Sequence, residues 1–425
     1  MRTLRAFFND ALREATQGST AYHAWMGVLT FLMCCGAWAY SVQLREGLIV
    51  TGLHDHVSWG FYISNFTFLV GVAAAAVILV MPTYVLKDHD FHSAVLIGEA
   101  MAVAALIMAI SFVVVDVGGP ARLWHLLPVV GRINFPRSLL AWDILVLNGY
   151  LALNVGVPFY LLYSHWQGRE ADKRYYVPVV LLSIAWAVSL HLVTAFLYAG
   201  LPARPFWNSS LLGPRFLATA FTAGPALMIL VLTLIRRFGG YPVAQETIQK
   251  LSVVVTVAAQ ICVVMTISEL FVEFYRNTHH GQSARYLFFG IGEKRALVPW
   301  IWSSIALIAT ATGLLTLHHL RAKKAVLYSA CVMLFVGILI EKGIGTIIPG
   351  FIPEPWGKIH EYSPTWVELT VALGIWALGA FVFTVLAKVA IPIEMGLLRE
   401  ANSALHSTVS PTPQPAANPA APTPE

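Results

Sequence analysis

Ten times between residues 23 and 391 the chain runs through a mostly apolar stretch of about 20 residues, the length a bilayer-crossing helix requires. The stretches fall at roughly 23–42, 58–82, 93–118, 139–164, 177–199, 216–235, 251–275, 298–318, 325–342 and 364–391. Lipid offers no water to unpaired backbone groups, so spans of this length must satisfy their own N–H and C=O groups as helices. The alternating apolar and polar pattern of a transmembrane barrel is missing. Composition agrees: 57% of residues are hydrophobic and 12% charged, whereas a soluble domain carries about twice that charged share. The sequence therefore predicts an all-α integral membrane protein with about ten transmembrane helices. Residues 1–22 form a polar cytoplasmic N-terminal segment, 23–395 the transmembrane domain, and 396–425 a disordered Pro/Ala-rich C-terminal tail.

The net charge of +5 belongs with the excess of Lys and Arg that membrane proteins keep in cytoplasmic loops, not with nucleic-acid binding. One set of connections is short and basic, holding Lys87, Arg169, Lys173, Arg174, Arg236, Arg237, Lys250, Arg321, Lys323 and Lys324. The opposite loops spread their basic residues over about twice the length, which places both termini in the cytoplasm and the longer loops outside. No cleavable signal stands at the N-terminus, so the first span is read as uncleaved.

A charge at membrane depth costs at least a few kcal/mol and calls for a reason. Asp116 ends the third span, with Arg122 just beyond it. Asp143 opens the fourth, followed by Asn148 and Asn154. His191 lies about two-thirds along the fifth, Glu269 and Glu273 sit four apart near the end of the seventh, and Trp59, Tyr62 and Asn65 begin the second. With odd spans running outward and even spans inward, all of these fall in the outer half of the membrane and converge on one polar pocket. Acids, a histidine and aromatic walls suit a quinone, which has two carbonyls to hydrogen-bond and two protons to exchange. In this reading Asp143, His191, Asp116, Tyr62, Asn65 and Arg122 surround the head group and Trp59 walls it.

Each residue also has a purely structural reading. Asp116 and Asp143 could reach interfacial water or pair with Arg122, His191 could be an interhelical hydrogen-bonder, and Glu273 could be boundary polarity. Glu99, near the inner end of the third span, is either a packing hydrogen bond or an inlet for protons. Glu341 and Lys342, adjacent at the end of the ninth stretch, read as a membrane boundary. Cys34, Cys35, Cys262 and Cys331 all lie in apolar runs without a Cys-x-x-Cys pair, so an iron–sulfur cluster, which takes about four thiolates, is not expected in this chain. His191 has no second histidine at its depth for a bis-imidazole haem; a His23–His318 pair near the inner face keeps a b-type cytochrome open. A proton-coupled secondary transporter is the other alternative, for which Gly224 and Pro225 would break the sixth span. No metal site is expected.

The run WGFYISNFTFLVGVAA at 59–74 resembles the NrfD/PsrC-like membrane subunits of respiratory oxidoreductases. VDVGGPARLW at 115–124, NFPRSLLAWDIL at 134–145, SELFVEFYRNTHH at 268–280 and SPTWVELTVALGIWALG at 363–379 follow in the family's order, and the resemblance extends over about 20–395. Ten spans are similar to the longer DsrP/HybB-like branch, with the DsrP-like match the nearer. The resemblance implies two four-helix bundles plus peripheral helices, in a bacterial cytoplasmic (inner) membrane. It implies electron exchange with menaquinone or ubiquinone without haem or an iron–sulfur cluster in this chain. It also implies an extracytoplasmic ferredoxin-like iron–sulfur subunit as partner, with further cytochrome or catalytic subunits. The family's quinone-site acid carries over to Asp143, its acid on the third span to Glu99, and its frequent histidine before the Gly-Arg-Pro turn is here Asp116. Glu99, Glu269 and Glu273 are the candidates for a proton path.

Overall fold

The computed structural model describes residues 2–127, 130–275, 281–354 and 357–399. Among them, α1 spans Arg2–Thr16 and α2 Thr20–Glu46. Helix α3, Phe61–Ala73, passes through one tighter turn into α4, Val77–Tyr84. Next come α5 (His92–Asp116), α6 (Leu139–Trp166), α7 (Lys173–Ala199), α8 (Leu212–Phe238) and α9 (Gln245–Tyr275). The short α10 (Gln282–Phe289) precedes α11 (Val298–Thr316) and α12 (His318–Arg321). Helix α13, Lys324–Ile338, widens into a π-helical turn at Leu339–Ile344 before α14 (Gly345–Ile347), and α15 covers Trp366–Glu394. Ten helical stretches are long and apolar enough to cross a membrane, and the only strand-like pairings among the described residues are two isolated bridges. The predicted all-α polytopic architecture is the observed one.

The helices sort into two bundles. The α3–α4 span, α5, α6 and α7 form one; α8, α9, α11 and α13 form the other; α2 and α15 pair outside and lean on α5. Helix α3 also packs on α8 and on the π-helical turn, so the seam between the bundles runs beside α3. A small-residue crossing sets the distance between α2 and α15. A Cβ on Gly36 would stand 2.7 Å from the Cα of Gly374, so each glycine lets the other backbone in. Thr365 caps α15 in a reciprocal capping box with Glu368, closing the orphan N–H groups of its first turn.

The N-terminal segment is helical. Phe7 is the buried contact of α1, edge-on to Trp166 at 5.5 Å, and Lys388 reaches Glu14 at 2.6 Å. Leu4, Phe8 and Leu12, four residues apart, stay exposed on another face of α1. Helix α1 thus packs against the C-terminal half of α15. Most of the predicted C-terminal tail, residues 400–425, lies outside the described residues, as does the 276–280 part of the SELFVEFYRNTHH segment.

Two expectations are corrected. The ninth span does not stop at residue 342 but runs to Phe351, so Glu341 and Lys342 are 3% and 1% exposed inside the bundle instead of marking its edge. Hydropathy ended the span at the charges, although those charges are neutralised internally. Gly224 and Pro225 do not break the sixth span either: both are buried in the continuous α8. A proline costs a helix one hydrogen bond and a local bend, which neighbouring helices tolerate in lipid.

Candidate functional site

Ser138 caps the N-terminus of α6 by accepting from the Ala141 N–H, and this sets Asp143 one turn inside the helix. Asp143 is 2% exposed. One carboxylate oxygen accepts from the Thr194 hydroxyl of α7 at 2.7 Å, a hydroxyl that also lies 2.9 Å from its own-helix Leu190 carbonyl. His191 is one turn before Thr194 on the same face and is fully buried. Its Nδ1 is 3.1 Å from the Ala187 carbonyl in its own helix, so the hydrogen bond it makes lies within α7 and not between helices. Its Nε2 is buried with no hydrogen-bond partner among the described residues.

Beside Asp143 a cleft of about 780 Å³ opens between α5, α6 and α7, with Leu123, Leu126, Leu127, Ile133 and Phe135 along its rim. Val113, Leu127, Phe135, Trp142 and Trp186 supply apolar walls, with Asp143 and Asn148 as polar points. Trp186 is fixed by donating to the Val146 carbonyl at 2.9 Å. Of the predicted site residues, only Asp143 lines this cleft.

The remaining polar residues do not close into one pocket; they form a layer on both sides of α3. Tyr62 and Thr67 are five residues apart, so they point about 140° away from each other around the helix. Thr67 meets Tyr198 at 2.5 Å, and Tyr198 lies within electrostatic reach of Asp143 and Asp116. Tyr198 meets Trp59 and Trp207, whose rings stack at 5.9 Å, and Phe351 stands edge-on to both indoles. On the other side Tyr62 donates to Gln43 at 2.8 Å, and Gln43 donates to the Val115 carbonyl at 2.6 Å beside Asp116. Asp116 keeps a buried oxygen without a hydrogen-bond partner among the described residues.

Two expected members stand elsewhere. Asn65 spends its amide on the Phe61 carbonyl and on Trp376 of α15, both within 2.9 Å, and is a helix tie. Arg122 is exposed, and among the described residues no ion pair joins it to Asp116.

Glu269 is not an uncompensated acid. Arg215 of α8 bridges it to Glu341 of the π-helical turn, with all three side chains at most 12% exposed. Lys342, next in that turn, donates to the Phe216 carbonyl at 3.2 Å and lies over the Phe216 ring. Its Nζ would be 2.9 Å from a Cβ on Gly71, so the glycine in α3 makes its room. Two cations face two carboxylates, and Lys342 is within electrostatic reach of His191 across the seam. Glu273, one turn beyond Glu269, is half-buried. Sequence reasoning missed Arg215 because the sixth span was begun one residue after it.

Above α3, Tyr362 donates to Glu368 and accepts from the Phe61 N–H at 2.8 Å, while Glu368 also accepts from Gly52 N–H at 2.7 Å. Burial, with the Glu368 charge beside it, raises the Tyr362 phenol far above its usual range and keeps it a donor. At the opposite end, Glu99 is 5% exposed with one oxygen unpartnered among the described residues. It lines a pocket of about 310 Å³ with Tyr84, Tyr176 and the His165–Glu394 pair. His23, the considered haem ligand, has its ring nitrogens 3.0 and 3.1 Å from the carbonyls of Ser19 and Thr16.

Residues 49–351 match the family described as "Polysulphide reductase, NrfD", well over half of the chain. The chain belongs to the NrfD family. The matched region contains Trp59, Asp116, Asp143, His191, Arg215 and Lys342 and stops before α15. Among curated NrfD-like relatives, the chain is 27% identical over 398 residues to a putative membrane subunit of a dimethyl sulfoxide reductase from Halobacterium salinarum, covering 85% of this chain and 90% of the relative. It is 23% identical to the integral membrane subunit of a menaquinone reductase from Nitratidesulfovibrio vulgaris, covering 85% and 89%. It is also 26% identical to an Hdr-like menaquinol oxidoreductase integral membrane subunit of Archaeoglobus fulgidus, over 52% of each. These NrfD-family likenesses and the ten apolar helices make this a multi-pass integral membrane protein.

Proposed function

We propose that this NrfD-family chain is the quinone-reactive membrane subunit of a respiratory oxidoreductase complex in the bacterial cytoplasmic membrane, with both termini cytoplasmic. The observation that carries the reading is the cleft beside Asp143: apolar walls wide enough for a substituted ring and one buried carboxylate reached from it. The menaquinone and menaquinol names of two relatives support a quinone as the substrate.

A quinol giving up two electrons must also release two protons. Asp143, held by Thr194, takes one from the ring hydroxyl that faces it, and His191, which does not line the cleft but sits one turn before Thr194 on α7, is the second acceptor through its unpartnered Nε2. Electrons leave to a cluster in a ferredoxin-like iron–sulfur subunit docked on the outer loops, with further cytochrome or catalytic subunits beyond it. When the reaction runs the other way, quinone reduction consumes two protons, and Glu99, at the wall of the inner pocket, begins their path from the cytoplasmic side. The ten spans and the order of the motifs favour a sulfur-metabolism, DsrP-like setting.

The test is quinol oxidation by the purified complex carrying Asp143→Asn or His191→Ala. Loss of turnover with intact assembly supports the site. Full activity and unchanged quinone affinity in both variants would overturn it.

A further inference from the structure

Outside the membrane-spanning helices, the turn before α3 and the turn before α15 bring three metal-binding side chains to one point. The Nδ1 of His56 is 2.5 Å from a Glu354 oxygen, and the Nε2 of His360 is 3.1 Å from the same oxygen. One donor atom from each of the three lies within 4.8 Å of the others. The His56 and His360 rings stack at 4.0 Å, and His54 stands edge-on to His56.

These side chains are presented by closed turns. His54 and Val57 exchange backbone hydrogen bonds of 3.2 and 3.0 Å, fixing the loop that carries His56. Glu354 N–H donates to the Lys358 carbonyl at 2.9 Å, and Gly357 N–H returns to Glu354 at 2.8 Å. The loops are registered at their base by Gly52 on Glu368 and by the Thr365 hydroxyl on the Val50 carbonyl at 2.9 Å. The entropy of bringing residues 56 and 354 together is therefore already met by the fold.

We propose that His56, His360 and Glu354 bind a divalent metal ion of the zinc class. Zinc takes imidazole nitrogen and carboxylate oxygen at about 2.0–2.2 Å, so donors around one ion stand about 3.3 Å apart. The carboxylate has to withdraw by less than about 1 Å from His56 to admit the ion between them, a shift open to a flexible glutamate side chain. Two neutral imidazoles and one carboxylate leave a fourth tetrahedral position for water. Softer thiolate-preferring ions find no sulfur here, and magnesium or calcium would want more oxygen donors. The bound ion clamps the loop leaving the first span to the loop entering the last. It lies beyond the Tyr362–Glu368 network and is separate from the quinone cleft, so the two readings fail independently.

The experiment uses the full-length chain without a histidine tag, solubilised in detergent, stripped with chelator and titrated with zinc sulfate against a chromophoric competitor. The expected result is about one zinc per chain, with His56→Ala and His360→Ala abolishing it and Glu354→Gln weakening it at least tenfold. Zinc should raise the unfolding temperature of the parent chain and leave that of the double-histidine variant unchanged. If the variants fold poorly, cobalt substitution of the parent decides, since a tetrahedral nitrogen–oxygen site gives intense visible bands. No stoichiometric zinc uptake by the parent, uptake undiminished in folded variants, or a featureless cobalt spectrum would each overturn the proposal.

Discussion

Thr194 of α7 reaches Asp143 of α6 at 2.7 Å, and the hydrogen bond joins two neighbouring helices beside a wide apolar cleft. The carboxylate is thus positioned by a hydroxyl and not by a cation. Asp143→Asn keeps a hydrogen-bonding side chain but removes proton exchange, so quinol oxidation by the complex should fall more than tenfold while assembly persists. Thr194→Val removes only the positioning bond, worth about 1 kcal/mol, and should cost roughly two- to fivefold. Steady-state quinol oxidation with both variants at matched complex content checks the ranking. Equal losses would mean that Thr194 does more than hold the acid.

Arg215 holds Glu269 and Glu341 at once. Removing it leaves two buried carboxylates without their cation, for which a penalty of about 3–5 kcal/mol is expected. Arg215→Ala should therefore lower the thermal unfolding temperature in detergent sharply or abolish membrane accumulation. Neutralising the acids as well, in Arg215→Met with Glu269→Gln and Glu341→Gln, should recover much of the loss. Failure of the triple variant to regain stability would show that the network does more than cancel charge.

The span pattern was legible because each apolar stretch meets the same physical limit of bilayer thickness, and the helix boundaries moved by only a few residues except at the ninth. There the π-helical turn at Leu339–Ile344 lets Glu341 and Lys342 face partners inside, which a hydropathy window reads as the end of a span. Asp143 and His191 were legible as buried polar residues; the structure ties Asp143 to Thr194 of α7, one turn after His191, while His191 does not line the Asp143 cleft. Tyr62 and Asn65 begin α3 as read, but they face Gln43 and Trp376 and not the Asp143 cleft, because counting residues along a helix leaves azimuth to packing. Arg215 carried a signal, an arginine at the edge of an apolar run in a chain whose seventh span already held unpaired acids. The Glu354 site carried none, because its two histidines come from loops on either side of eight intervening spans.

Gly36 and Gly374 meet backbone to backbone where α2 crosses α15. Gly374→Ala brings a methyl group to 2.7 Å from Gly36 Cα, and rigid helices can relieve that contact only by separating. A destabilisation of about 1–3 kcal/mol is expected for such overpacking. It should appear as a lower unfolding temperature and faster proteolysis near the N-terminal span. Quinol oxidation per folded molecule should stay unchanged, since neither glycine touches the Asp143 cleft. A loss of specific activity without loss of stability would contradict this separation.

Glu99 sits far from Asp143 along the bundle, in a pocket shared with Tyr84, Tyr176 and the His165–Glu394 pair. If it is the inlet for protons from the cytoplasmic side, Glu99→Gln should spare electron transfer more than proton movement. In detergent, where both faces see one solution, quinol oxidation should remain within about twofold of the parent, because the amide still fits the pocket and Asp143 is untouched. In proteoliposomes of fixed orientation driven toward quinone reduction, which consumes two protons, the alkalinisation on the side of the pocket should fall by most of its amplitude. His165→Ala, which leaves Glu99 in place but removes the partner of Glu394, should give a smaller loss on the same readout. Proton uptake that persists in Glu99→Gln would leave the carboxylate as a packing group, with the path running elsewhere.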